Sequence, residues 1–228
     1  MGIVVMDALS HQAIRALGTE GIHYGAPPDR TGQWRGKRLT GLENSLLAMG
    51  HTLRFAAPAG AELASADVLI IASRSQDLLF GADELAAIRE FVRAGGGLLL
   101  MANHRHFIRP QQQVAAALQL PLGFKDMTII DFPEIELVPH PVTTGCGRLL
   151  LRNSTALAVA ADADVVARFA GDRTQVFAAA ASTGRGRVLA TGDSGFIASL
   201  DDAGKSMFES ASNARFFANA IDWLSVSR

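Results

Sequence analysis

Two short apolar runs constrain this chain most: Val68–Ala72 and Leu98–Ala102, each unbroken by any polar residue. A continuous apolar run of this length reads as a strand buried on both faces, the mark of a parallel sheet covered by helices. Neither approaches the roughly 18 residues needed to cross a bilayer. Between them, Asp83–Ala94 carries Leu85, Ile88, Phe91 and Val92 at helical spacing, and Gly95–Gly97 ends that helix. Strand, helix and strand in this order form a right-handed crossover. The same alternation starts earlier. Gly2–Met6 is a strand ending at Asp7; Leu39–Met49 is a helix with Leu39, Leu42, Leu46 and Leu47 on one face; His51–Ala57 is a strand closed by Pro58. The pattern predicts an α/β fold with a mostly parallel sheet.

The second half is less regular. A helix over Val114–Leu120, an extended segment over Thr128–Val138, and strands at Leu149–Leu151 and Val165–Ala170 are expected. Gln175–Ala181 and Arg187–Thr191 flank Thr183–Gly184–Arg185–Gly186, a hairpin signal. Asn213–Leu224 reads as a closing helix. No repeat or linker divides the chain, so residues 1–228 are expected to form one domain. His23–Lys37 is a long polar loop carrying Arg30, Arg35 and Lys37, with Arg38 beside them, a candidate lid or contact for an anion.

Composition excludes several classes. Hydrophobic residues make up 49% of the 228, enough for a substantial core and too many for a disordered chain. Lys+Arg is 21 against Asp+Glu 22, so no excess positive charge supports nucleic-acid binding or docking on anionic lipid. The amino terminus has no basic segment followed by a signal-length apolar run, and no membrane insertion is expected. A single cysteine, Cys146, rules out an intrachain disulfide. The expected location is the cytoplasm.

In an open parallel sheet, ligands bind beyond the carboxyl ends of the strands. Four polar clusters fall there: Asp7 with Ser10 and His11, Ser73 with Arg74, Asn103 with His104 and His106, and Asp193 with Ser194. From these the expected ligand-binding residues are Asp7, His11, Ser73, Asn103, His104 and Asp193, the carboxylates accepting from hydroxyls and the amide and hydroxyl doing both. No catalytic residue, metal ligand or cofactor is assigned. His104 and His106 with one acid are too thin a metal set without a further ligand. Gly192–Asp193–Ser194–Gly195 lacks the triad context of a serine protease. No G-x-S-x-G is present, and no G-x-G-x-x-G follows the first strand. Cys146 sits between two glycines, away from any strand-to-helix elbow.

Several of these segments occur together in a known family. The strand ending at Asp7 and His11, the block Ala66–His106, His140–Pro141–Val142–Thr143–Thr144–Gly145, and Gly192–Phe196 followed by Asn213 and Phe217–Trp223–Leu224 resemble, in this order, the class I glutamine-amidotransferase-like domains. The nearest branches are those of gliding-motility and intraflagellar-transport proteins and of bacterial proteins of unknown function; the trehalose-utilisation branch has a similar His-Pro-hydrophobic-Thr segment. The resemblance implies a flavodoxin-like, three-layer α/β/α fold. It also implies that a catalytic enzyme would carry a cysteine on the turn after Leu98–Ala102. Asn103, His104 and Arg105 stand there instead, and an amide cannot form a thioester. The expectation is therefore a noncatalytic domain that binds a small polar ligand, such as a carbohydrate, or a protein partner.

Two other readings remain open. One is a hydrolase with His104 as general base, or with a metal held by His104, His106 and an acid. The other is a structural subunit, a homo-oligomer among the options, pairing through an exposed apolar patch at Phe107–Ile108 or Phe132–Ile135.

Overall fold

The computed structural model describes residues 2–10, 39–130, 132–198 and 207–226. Among these, the strands are β1 (Gly2–Asp7), β2 (His51–Ala56), β3 (Val68–Ala72), β4 (Gly97–Met101), β5 (Leu122–Phe124), β6 (Ile135–Leu137), β7 (Leu157–Val159), β8 (Asp164–Phe169), β9 (Asp172–Thr183) and β10 (Gly186–Thr191). The helices are α1 (Thr40–Ala48), α2 (Gly60–Ala64), α3 (Ala82–Arg93), α4 (Arg109–Ala117) and α5 (Asn213–Ser225).

One sheet contains all ten strands, in the order β2–β1–β3–β4–β10–β9–β7–β5, with β8 on β9 and β6 on β8. From β2 through β10 every neighbour is parallel. This is the flavodoxin order, with β10 as the fifth strand. Beyond it the hairpin β9–β10, turning at Gly184, switches the sheet to antiparallel pairing.

The parallel strands alternate their side chains between two cores. On one face Val4, Met6, Ile70 and Leu99 pack with Leu42 and Leu46 of α1 and Phe216, Phe217 and Ile221 of α5. On the other, Val5, Leu69, Ile71 and Leu98 meet Ile88, Phe91 and Val92 of α3 and Val114 of α4. Each such buried aliphatic side chain is worth about 1.5–3 kcal/mol of transfer free energy. Both faces of the parallel strands are covered, which gives the three-layer α/β/α architecture and explains why these strands read as unbroken apolar runs.

Four segments differ from expectation. Leu149–Leu151 is not a strand, although Leu149 and Leu151 are buried. The Asn213 side chain accepts from the Leu150 N–H at 2.9 Å and donates to the Leu150 carbonyl at 2.8 Å, doing the work of a neighbouring strand with one amide. Among the described residues, Thr128–Val138 is strand only over β6, with a single bridge between Ile129 and Ser154. Helix α4 begins at Arg109, five residues before Val114, because Pro110 falls in the first turn, where its missing N–H costs nothing. Of the two proposed apolar patches, Ile108 is buried, which removes Phe107–Ile108, whereas Phe132 is exposed. His23–Lys37 lies outside the described residues. No described helix is long and apolar enough to cross a membrane.

Candidate functional site

The chain leaves β1 for β2 on one side of the sheet and returns to β3 on the other. The crevice beyond their carboxyl ends is therefore the topological switch point. The ends of β1, β3, β4 and β10 deliver Asp7, Ser73 with Arg74, Asn103 with His104, and Asp193 with Ser194. His11 lies outside the described residues.

At the β1–β3 side, Arg74 is entirely buried. Its Nε donates to Asp7 Oδ2 and its Nη2 to Asp7 Oδ1, both at 2.8 Å, a two-pronged guanidinium–carboxylate pair. Nη2 also reaches Glu84 Oε1 of α3 at 2.7 Å, and the guanidinium lies 3.6 Å from the centre of the Phe80 ring. Ser10 Oγ donates to Asp7 Oδ2 and accepts from the Ala72 N–H. Burial by itself would lower the Arg74 pKa; the bonds and charges of Asp7 and Glu84 outweigh it and leave the pKa raised. Burial would raise Glu84, and the Arg74 bond and charge with the Gly81 N–H bring it below its ordinary value. The sequence casts Asp7 as an acceptor for a ligand's hydroxyl. It is instead fully buried, and both its oxygens already serve Arg74.

At the β4–β10 side the groups are neutral or, among the described residues, show no counter-charge. Ser73 Oγ and Ser194 Oγ are 2.8 Å apart, and Asn103 Nδ2 donates to Ser194 Oγ at 3.4 Å. Three strand ends thus meet through two hydroxyls and one amide. Ser73 holds this position with φ 56°, in the left-handed region. Gly192, directly after β10, lies so close to the Thr155 carbonyl that a Cβ there would collide with it. Asp193 is buried, and among the described residues the donors that meet it are backbone N–H groups. Burial drives its pKa up to about 7, against the pull of those donors from Gly195, Arg152 and Ser194.

Only Asn103 and His104 among the described candidates reach the surface, each half-buried. Asn103 Oδ1 accepts from the His104 N–H at 2.8 Å. The His104 ring stands edge-on to those of His106 and Phe107. Burial first, then the charges of His106 and Arg105, push its pKa down. The structure therefore brings Ser73, Asn103 and Ser194 together, and places Asp7 and Asp193 behind them as buried supports.

Sequence reasoning places Arg74 and Ser194 beside chosen residues without selecting them, and it misses Glu84. The usable signal is a basic residue at the end of an apolar strand, which folding must pair with an acid. The His140–Gly145 segment is a folded turn: His140 Nδ1 accepts from the Val142 N–H, and Asn219 of α5 donates to the carbonyls of Val142 and Thr144. Cys146 follows that turn, with Sγ near the Val142 carbonyl and Asn219 Nδ2. Burial pushes its thiol pKa up, the opposite of an activated nucleophile. Among the described residues, no group of three or more His, Cys, Asp or Glu is arranged to hold a metal ion.

No family model matches the chain, and no curated protein matches it in sequence. Solved structures do match in fold. The N-terminal domain of mmIFT52 superimposes with a TM-score of 0.69 at 11% identity, over 99% of this chain and 98% of that one. A ThuA-like protein from Bacteroides uniformis gives 0.61 at 11% identity, over 98% and 90%. A GMP synthase-like protein from Thermoplasma acidophilum gives 0.56 at 12% identity, over 100% and 95%. The fold is thus flavodoxin-like and of the glutamine-amidotransferase type. At these identities the likeness concerns fold alone.

Proposed function

We propose that this chain is a noncatalytic, amidotransferase-like binding domain of the cytoplasm. Its ligand is a small polar molecule, a carbohydrate among the candidates, or a polar loop of a protein partner. The observation that carries this reading is the state of Asn103 at the end of β4. Its carboxamide oxygen is occupied by the His104 N–H, and among the described residues its nitrogen makes one 3.4 Å contact, with Ser194. One amide hydrogen is left for a ligand acceptor, at a lip stiffened from behind by Ser73 and Ser194. A carboxamide so placed recognises; it does not attack. The only cysteine is held against α5 by a different set of partners.

The test is a thermal-shift and calorimetric screen against monosaccharides, disaccharides and small polar metabolites, run beside an ammonia-release assay with glutamine. A stabilising ligand is expected; at 100 times Kd it adds about 2.7 kcal/mol to the folded state. Asn103→Ala should weaken it at least about tenfold, one good hydrogen bond's worth, with stability nearly unchanged. Glutamine turnover, or binding indifferent to Asn103→Ala, would overturn the reading.

One observation favours a second reading. Burial, with the charges of His106 and Arg105, lowers the His104 pKa and so favours the neutral imidazole that a general base requires. Hydrolysis of an ester or glycoside that disappears in His104→Gln would promote it.

A further inference from the structure

Next to the lip, a separate groove of about 870 Å³ runs along α4. One wall is the helical stripe Arg109, Gln112, Gln113 and Ala116, which the 3.6-residue period places on one face. Ile108 and Phe124 supply apolar surface, and Arg105 and His106 stand at the end nearest β4. Its volume matches that of a small-molecule site.

The charges in this groove are unbalanced. Arg105 and Arg109 are exposed, and among the described residues neither side chain forms an ion pair or a hydrogen bond. Asp126 is the one acid on the lining, and it pairs with neither. Arg109 opens α4, whose first turn carries no acidic residue and whose N-cap provides no side-chain acceptor, so the helix dipole adds positive potential at the same end. Gln112 Oε1 accepts from the Phe124 N–H and Gln113 Oε1 from the Phe80 N–H, which among the described residues leaves each amide nitrogen as a spare donor.

We propose that this groove binds a small organic anion: an oxyanion head, phosphate monoester or carboxylate, between Arg105 and Arg109, with an apolar body against Ile108, Ala116 and Phe124. Two guanidinium forks match either head in two-pronged geometry. The glutamine amides fix the orientation of the body. This site stands apart from the Asn103 lip and does not require it.

The test uses three probes of one shape (phenyl phosphate, benzoate and neutral phenol) in thermal-shift and calorimetric titrations. The expected result is stabilisation by at least one anion in the millimolar range or below, none by phenol, and weakening as salt rises. The tighter anion identifies the head group. Arg109→Ala should weaken binding at least about tenfold. Arg109→Lys, which keeps the charge and loses the fork, should fall between. Arg105 and Arg109 are exposed, so these variants should keep the wild-type melting temperature. Arg173→Ala, an exposed arginine paired with Glu136, and Asn103→Ala should both leave anion binding unchanged. The proposal is overturned if no anion shifts melting, if phenol binds as well, or if Arg173→Ala weakens binding as much as Arg109→Ala.

Discussion

Asp7 and Asp193 stand at the ends of strands of the same sheet, β1 and β10, at one polar edge, and both are buried. They differ in what meets them. Asp7 faces the guanidinium of Arg74, itself shared with Glu84. Asp193 meets backbone N–H groups, and its pKa rises to about 7. A desolvated carboxylate is tolerated in a fold either by pairing or by taking a proton. This sheet uses the first solution at β1–β3 and the second at β10. One side of the edge is an ionic clamp between Asp7, Arg74 and Glu84. The other changes charge within the physiological range.

The sharpest way to break the contrast is to remove the cation. Arg74→Met leaves Asp7 buried without its partner, and breaking a buried pair in this way costs about 3–5 kcal/mol. Urea unfolding should show the midpoint falling accordingly, with the slope unchanged. The double variant Asp7→Leu with Arg74→Met should recover most of that loss, because no fully buried orphan charge remains; Glu84, which also loses Arg74, is partly exposed. A single-variant cost below about 1 kcal/mol would mean that the clamp is not what holds β1 to β3 at this edge.

The second prediction uses pH. Asp193 has its folded pKa raised to about 7, above the unfolded value near 3.9. The folded state therefore binds more protons than the unfolded one between these values. Its contribution to stability is fully present below about pH 4 and is lost as pH rises toward 7, with a slope of up to about 1.4 kcal/mol per pH unit. Glu84, whose pKa is lowered, acts in the opposite sense: its contribution is present above the unfolded carboxylate pKa and is lost as pH falls through the folded value. Asp193→Asn should remove the decline between pH 4 and 7 and leave the acid limb intact. An unchanged pH profile in this variant would show that Asp193 is ionised throughout.

Much of this edge is legible in the chain because local pattern and global topology agree there. The runs Val68–Ala72 and Leu98–Ala102 can be satisfied only as strands covered on both faces, and polar residues must then gather at their ends. Which of those residues face solvent is not legible. Asp7 reads as an acceptor until Arg74 is seen to be turned inward, and that depends on a crossover of more than sixty residues bringing β1 beside β3. Leu149–Leu151 has the composition of a strand, yet its backbone bonds go to a side chain, Asn213, distant in sequence. Nor could periodicity locate the groove beside α4, whose start at Arg109 lies outside the apolar stripe that marks the helix.

The smallest expected effect tests whether the two sides are coupled. Ser73 is the link: it follows β3 on the clamp side and places its hydroxyl 2.8 Å from Ser194, next to Asp193. It does so with φ 56°, a conformation that costs a side-chain-bearing residue about 1–2 kcal/mol. Ser73→Ala and Ser73→Gly both delete the hydroxyl bond, worth about 1 kcal/mol. Only glycine also relieves the left-handed backbone, and it gives back part of that gain through the freedom it adds to the unfolded chain. Ala should thus destabilise by about 1 kcal/mol and Gly by less, a difference that paired urea titrations resolve. If the hydroxyl also carries coupling, both variants should shift the pH at which Asp193 titrates, since Ser194 then loses its partner from β3. Equal stability of the two variants would remove the strain, and an unmoved Asp193 titration would leave clamp and switch as independent devices on one sheet edge.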